Sequence, residues 1–338
     1  MPVRLSVCTE LFALLEGMDF YKVVDYAHNI GADIELAPFT EGVPVTMIGA
    51  DERARRHDYL QEKEVRLAGI HWLLAGGDKI FGPEGYHIDG GPHLTAEPLK
   101  RRVTTADYVN EVLGYAADLR GRGNITADDP LVAVWGSPLQ RSMEGGMSLE
   151  QAMYNAASVF NSIISDDDTG STIALERLTK KQGADGETTF GYDLMQIAYL
   201  VGMTQGLLPL SKRGQMAAMM DVKATVGSGD DPIKTLRDTP CMVYHVHVQD
   251  PKSLGPPGYN GKGTFLGDDS YSITPLFKHL EAVAETGVPV TASIEAFQPF
   301  YDRNKQKPTE TYATSIGLMR GMLNPELRNW AGHARETR

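Results

Sequence analysis

The stretch Ser171-Thr172-Ile173-Ala174-Leu175-Glu176 is a short apolar run closed by an acid. The same design returns in Ala217-Ala218-Met219-Met220-Asp221 and in Pro289-Val290-Thr291-Ala292-Ser293-Ile294-Glu295. A related run, Tyr244-His245-Val246-His247-Val248-Gln249-Asp250, carries histidines among its apolar residues. Near-continuous apolar segments of this length suit parallel strands buried on both faces. Working outward, Arg4–Thr9, Ala32–Leu36, Leu67–Trp72 and Leu131–Trp135 have the same character, and Met242–Val248 covers the histidine run. Helical patterns separate the strands at Phe20–Asn29, Ala106–Leu119, Leu149–Ile164, Tyr192–Thr204, Ile273–Glu285 and Thr309–Met322.

Eight strands alternating with helices match a (β/α)8 TIM barrel, one α/β domain over residues 1–338. The competing fold is a doubly wound sheet with a cap domain. It needs a glycine-rich phosphate loop after an early strand, and Val7–Glu16 contains no glycine. Three long loops, Asp78–Lys100, Thr179–Gly191 and Pro251–Tyr271, follow strands three, five and seven. They fall at the C-terminal face, where barrels build their sites, and suggest a lidded pocket for a small molecule.

Composition narrows the function. The 338 residues carry 32 Lys and Arg against 44 Asp and Glu, a formal charge of −12. Such a surface repels a phosphate backbone, and Arg53, Arg55, Arg56 and His57 sit among acids as a solvated helix face. A nucleic-acid partner is therefore not expected. No stretch reaches the roughly 18 apolar residues of a membrane helix, and the N-terminus has no signal-peptide pattern. With two cysteines, Cys8 and Cys241, the expectation is a cytoplasmic protein with reduced, buried thiols.

The strand ends carry the chemistry. Glu176, Asp221, His247 and Glu295 are delivered to one rim by four consecutive strands. Ionised carboxylates there need a partner, and one divalent cation satisfies three of them together with an imidazole. Oxygen-rich ligation with one nitrogen suits Mn²⁺, Mg²⁺ or Co²⁺, with Mn²⁺ favoured. Glu35 and His71 point to the same rim from strands two and three, where they could meet substrate hydroxyls. Lys223 and Lys252 are nearby cations that could do the same.

The Glu176, Asp221, His247, Glu295 series resembles the metal tetrad of the xylose isomerase-like barrel superfamily. That group includes sugar phosphate isomerases and epimerases, ketose 3-epimerases, inosose dehydratases and endonuclease IV. The likeness extends to Ser6–Phe12, to Ile34–Thr40, to Gly69–Leu74, to Trp135-Gly136-Ser137-Pro138-Leu139-Gln140-Arg141 and to His247-Val248-Gln249-Asp250, spanning Arg4 to Met322. It implies a metal-dependent sugar isomerase or epimerase working through an enediolate. Glu176 and Glu295 would move the proton while also binding metal, and Asp221 and His247 would chiefly hold it. The alternative is a lyase performing β-elimination on a 3-oxo glycoside or inosose, similar to the C-glycoside deglycosidase subunits that work beside a small second protein.

The chain departs from the relatives' pattern at Ala224, Gln182 and Ser253, where a His, a Glu and an Arg are usual. These departures count against a free-ketohexose 3-epimerase and leave the tetrad intact. A homo-oligomer is expected, with the apolar segments Phe39–Ile48 and Ala296–Tyr301 meeting a partner. An inactive binding protein is disfavoured by the complete tetrad, and endonuclease activity by the charge.

Overall fold

The structure is a computed structural model that describes residues 2–14, 17–41, 43, 45–71, 99–126, 128–136, 141, 143, 146–178, 190–248, 273–295 and 308–324. Strands β1 (Arg4–Cys8), β2 (Asp33–Leu36), β3 (Leu67–Ile70), β4 (Val132–Trp135), β5 (Thr172–Glu176), β6 (Met216–Asp221), β7 (Met242–Val248) and β8 (Thr291–Ile294) close into one barrel. All eight pairings are parallel, and β8 pairs back onto β1 with Ser6 opposite Ser293. The expected fold class is the one observed.

Helices lie between the strands: α1 (Phe20–Ile30), α2 (Ala50–Glu62), α3 (Leu99–Arg120), α4 (Leu149–Asp166), α5 (Leu194–Leu207), the short α6 (Val222–Gly227) and α7 (Pro232–Asp238), α8 (Thr274–Glu285) and α9 (Pro308–Leu323). Among the described residues no helix is long and apolar enough to cross a membrane. Local chemistry sets several starts. Asp19, Ser148, Asp193 and Asp231 each accept a bond from a backbone N–H of the first turn, and Pro232 occupies the first turn of α7. The pair α6 and α7 escaped the sequence reading, although Asp231-Pro232 is a helix-start signal.

Alternation along the strands separates two cores. Ala133, Trp135, Ile173, Leu175, Ala218 and Met220 face outward into the large core shared with the helices, where Trp135 meets Phe160 edge to face at 5.0 Å. The intervening Val132, Val134, Ala174 and Met219 form a second apolar cluster with Val243 inside the barrel. By the same parity Glu176, Asp221, His245 and His247 belong to the interior face.

Two expectations are corrected. Cys8 is buried as expected, but Cys241 is exposed, because it occupies a turn ahead of β7 with a positive φ of 57°. Arg56 is not part of a solvated face. It turns inward to an ion pair with the buried Glu41, and donates to the Tyr115 hydroxyl at 2.7 Å and to Glu52 at 2.9 Å. Burial pushes the Glu41 carboxyl up, and a cation at that place offsets part of the cost.

Gly69 marks the tightest interior approach. A Cβ there would stand 2.7 Å from the Val132 carbonyl oxygen and 3.1 Å from the His245 ring. Gly69→Ala is expected to destabilise the barrel by about 1–3 kcal/mol, as overpacking does, measured by urea denaturation; unchanged stability would show that β3 and β4 can separate.

Candidate metal centre and active site

The four rim residues meet. Glu176, Asp221, His247 and Glu295 are all buried, and each offers a ligand atom within 4.8 Å of the others. Strand register accounts for part of this, since Asp221 lies directly opposite His247, and His247 opposite Ser293, two residues before Glu295. His247 Nδ1 stands 3.3 Å from a Glu176 oxygen and 3.4 Å from a Glu295 oxygen, without a well-directed hydrogen bond to either. A buried imidazole nitrogen and carboxylates converging without bonding one another fit a cation placed among them.

Asp221, Glu176 and His247 are each held from behind. Asp221 Oδ1 caps α6 by accepting from the Ala224 N–H, which leaves its second oxygen for the site. Glu176 ends β5 against Gly136, where any Cβ would collide with its carboxylate. The fully buried Arg141 donates from Nη1 to the Glu176 carbonyl at 2.7 Å and from Nη2 to the Trp135 carbonyl, joining the ends of β4 and β5. Burial pulls this guanidinium down to about 10.

His247 Nε2 donates to Glu35 at 2.8 Å, and His245 Nε2 donates to the other oxygen of Glu35 at 2.7 Å. Glu35 was expected among the substrate contacts. Here both its oxygens are taken by histidines and none of its surface is exposed. A carboxylate behind an imidazole fixes the ring's tautomer and aims the opposite nitrogen, as behind metal-bound histidines generally. Burial pushes the Glu35 carboxyl up, but the two histidines outweigh it and hold it well below its usual range. Burial likewise pulls His247 down, and Glu35 with Glu295 more than reverses this. Asp221 is driven well up by burial and by Glu176 and Glu295. Three crowded carboxylates of this kind gain most from a cation.

His71 lies just beyond β3, its Nε2 2.9 Å from Glu10 and its Nδ1 4.0 Å from Glu295. Lys223 is buried beside Asp221, Glu295 and Glu176, and burial pulls its ammonium down. Lys252 lies outside the described residues, as do Gln182, Ser253, all but the last two residues of each of the loops Asp78–Lys100 and Thr179–Gly191, and the whole of Pro251–Tyr271. Sequence reasoning did not single out Glu10, His245 or Arg141. Glu10 follows β1 directly and His245 shares the inward parity of His247, so position offered a signal for both. Arg141 closes the Trp135–Arg141 stretch quoted above, but its role left no side-chain pattern to read, because its partners are backbone carbonyls.

No protein-family model and no curated protein matches the chain. Solved structures do. A 3-keto-D-glucoside 4-epimerase from E. coli is similar over 94% of this chain and 99% of its own, with 14% identity and a TM-score of 0.60. A probable 3-DHS dehydratase from Bacillus anthracis matches over 95% and 99%, with 15% identity and a TM-score of 0.61. The IOLI protein, solved with a zinc atom, matches over 97% and 99%, with 14% identity and a TM-score of 0.61. These structures share the closed eight-stranded parallel barrel with this chain. The buried carboxylates and imidazole described above could hold a metal, and Cys8, Glu35, His71 and His247 form a second such group among the described residues.

Two outcomes test the centre. Gly136→Ala is expected to displace the Glu176 carboxylate and reduce bound metal about 10–100-fold in affinity, as disturbance behind a ligand typically does; elemental analysis with full occupancy would contradict it. In addition, the metal-free His247 ring holds its proton above its ordinary range, and a metal takes Nδ1 only by displacing that proton. Binding is expected to release protons and to weaken as pH falls through the raised range of His247, read by calorimetry in buffers of differing ionisation enthalpy; pH-independent affinity would remove His247 from the ligand set.

Proposed function

We propose that the protein is a divalent-metal-dependent sugar isomerase or epimerase that moves a proton on the carbon beside a carbonyl. One observation carries this reading: three buried carboxylates and one imidazole converge within 4.8 Å at the barrel's C-terminal rim. The likeness to an epimerase acting on a 3-keto-D-glucoside supports a carbonyl-bearing sugar as substrate. The zinc atom in the IOLI structure supports metal dependence, and the oxygen-rich donor set favours Mn²⁺ over thiolate-seeking ions.

When bound, the cation polarises the substrate carbonyl and makes the adjacent C–H more acidic. Glu176, Asp221, His247 and Glu295 hold it. Glu176 and Glu295 reach the reacting carbon from different strands, so one removes the proton and the other delivers one to the opposite face. Glu295 is suited to two tasks, since one oxygen faces His247 Nδ1 and the other faces His71. His71, Lys223 and Lys252 are assigned to substrate oxygens. Glu35 acts one layer below, as the group that orients His247.

The same proton abstraction leads to elimination when a leaving group sits β to the carbanion, and the likeness to a dehydratase of this fold favours that as the second reading. The acidic chain, with its charge of −12, supports a small-molecule partner over nucleic acid.

Proton NMR of the manganese-loaded protein in D₂O, with ketoses, sugar phosphates and 3-oxo glycosides, separates the readings. Deuterium beside the carbonyl with a new isomer or epimer is the expected result, and release of an aglycone or water would select the lyase. Glu176→Gln and Glu295→Gln are each expected to lower kcat about 10²–10⁴-fold, the range of general acid–base catalysis; normal turnover in both would sink the assignment.

A further inference from the structure

Helix α5 has the composition of a core helix and the position of a surface one. Its sequence, Leu194-Met195-Gln196-Ile197-Ala198-Tyr199-Leu200-Val201-Gly202-Met203-Thr204-Gln205-Gly206-Leu207, contains no charged residue. One face, Ile197, Leu200, Val201 and Thr204, is buried against the barrel. The opposite face is just as apolar: Met195, Tyr199, Gly202 and Gly206 recur at helical spacing and are exposed, Met195 to 74%. The chain continues past the helix to Leu210, which is 81% exposed. Of the seven large hydrophobics exposed among the described residues, four lie on this helix and the turn after it, and a fifth, Tyr154, on the neighbouring α4. A helix that is apolar all round belongs inside something, and a concentrated exposed patch marks an interface.

We propose that this face pairs with the same face of a second copy, antiparallel about a two-fold axis passing between Leu200 and Val201. Three features select that occupant. First, the relief is self-complementary. Met195 and Tyr199 project from one half of the stripe, while Gly202 and Gly206 leave open space on the other. Antiparallel pairing sets Met195 over the partner helix's Gly206 position and Tyr199 over its Gly202 position, within a stripe about 16 Å long. A two-fold contact requires this kind of match, in which each patch meets its own image.

Second, the ends carry opposite charge. Asp193 caps the N-terminal end of α5, and the exposed Arg213 closes the turn after its C-terminal end. Antiparallel pairing brings the acidic end of each copy toward the basic end of the other. Third, two molecules of charge −12 repel each other over most approaches, and a face without charge lets them meet with least repulsion. A stable pair needs about 800 Å² from each partner, so α5 supplies the centre of the contact and α4, with Tyr154, its flank.

Sedimentation velocity on the full chain at micromolar concentration tests this. The expected mass is twice the 37.0 kDa of one chain. Tyr199→Glu is expected to return it to one chain, with the far-UV circular dichroism unchanged. The double variant Gly202→Leu, Gly206→Leu is expected to do the same, although both changes favour the helix itself by about 1 kcal/mol each. A single-chain mass for the unaltered protein would overturn the proposal. So would a dimer that survives both α5 variants and dissociates on Met47→Glu, which would move the interface to the exposed Val43 and Met47 within Phe39–Ile48.

Discussion

Glu35 lies inside the barrel with no exposed surface, and its two oxygens accept from His245 at 2.7 Å and His247 at 2.8 Å. A carboxylate stripped of water in that position takes up a proton unless donors or cations are supplied. The two imidazoles supply them, and in return the carboxylate fixes the ring of His247. With Nε2 held below, Nδ1 has one direction left, upward between Glu176 and Glu295. The rim geometry therefore rests on an ionic contact one layer beneath it. Gly69 is a glycine for the same reason, because a Cβ there would meet the His245 ring and the Glu35 stem.

That contact divides the barrel interior into two sides. On β4, β5 and β6 the inward residues below the rim are Val132, Val134, Ala174 and Met219, which form an apolar cluster. On β1, β2, β7 and β8 they are mostly polar, Val243 at the start of β7 excepted, with Cys8 3.3 Å from Ser293 and Glu35 between its histidines. Glu176 and Asp221 rise from the apolar side, and His247 from the polar side. Carboxylates above an apolar floor draw nothing from the layer below, so the Ala224 N–H, the Lys223 ammonium and His247 are the groups that face their charge. Arg141 spends its donors on the carbonyls of Glu176 and Trp135, so it braces the apolar side through the backbone.

The tetrad was legible in the sequence because each member closes or interrupts an apolar run, and a charged group in that place is costly enough to be conspicuous. The barrel was legible for a related reason: strands buried on both faces lose the polar alternation that one-sided strands keep. What escaped the reading depended on partners far away in the chain. Glu35 and His247 are separated by 212 positions, and Glu10 meets His71 only because β1 and β3 are near neighbours in a closed sheet. Arg56 looked like part of a solvated helix face until its pairing with Glu41 placed it inward. Cys241 sits beside a strand in sequence and in a turn in space.

Sequence alone determined the alternation of eight strands with helices, the four acidic and imidazole groups that close the strands at the rim, and the net acidic charge. These are properties of composition and local periodicity, and each is set within a window of a few residues. Tertiary structure decided that Glu35 pairs with His245 and His247, that Glu10 and His71 stand together, and that the apolar side of α5 opposite the barrel is left uncovered. Those outcomes depend on which strands become neighbours when the sheet closes. Closure is a long-range event that no local pattern encodes.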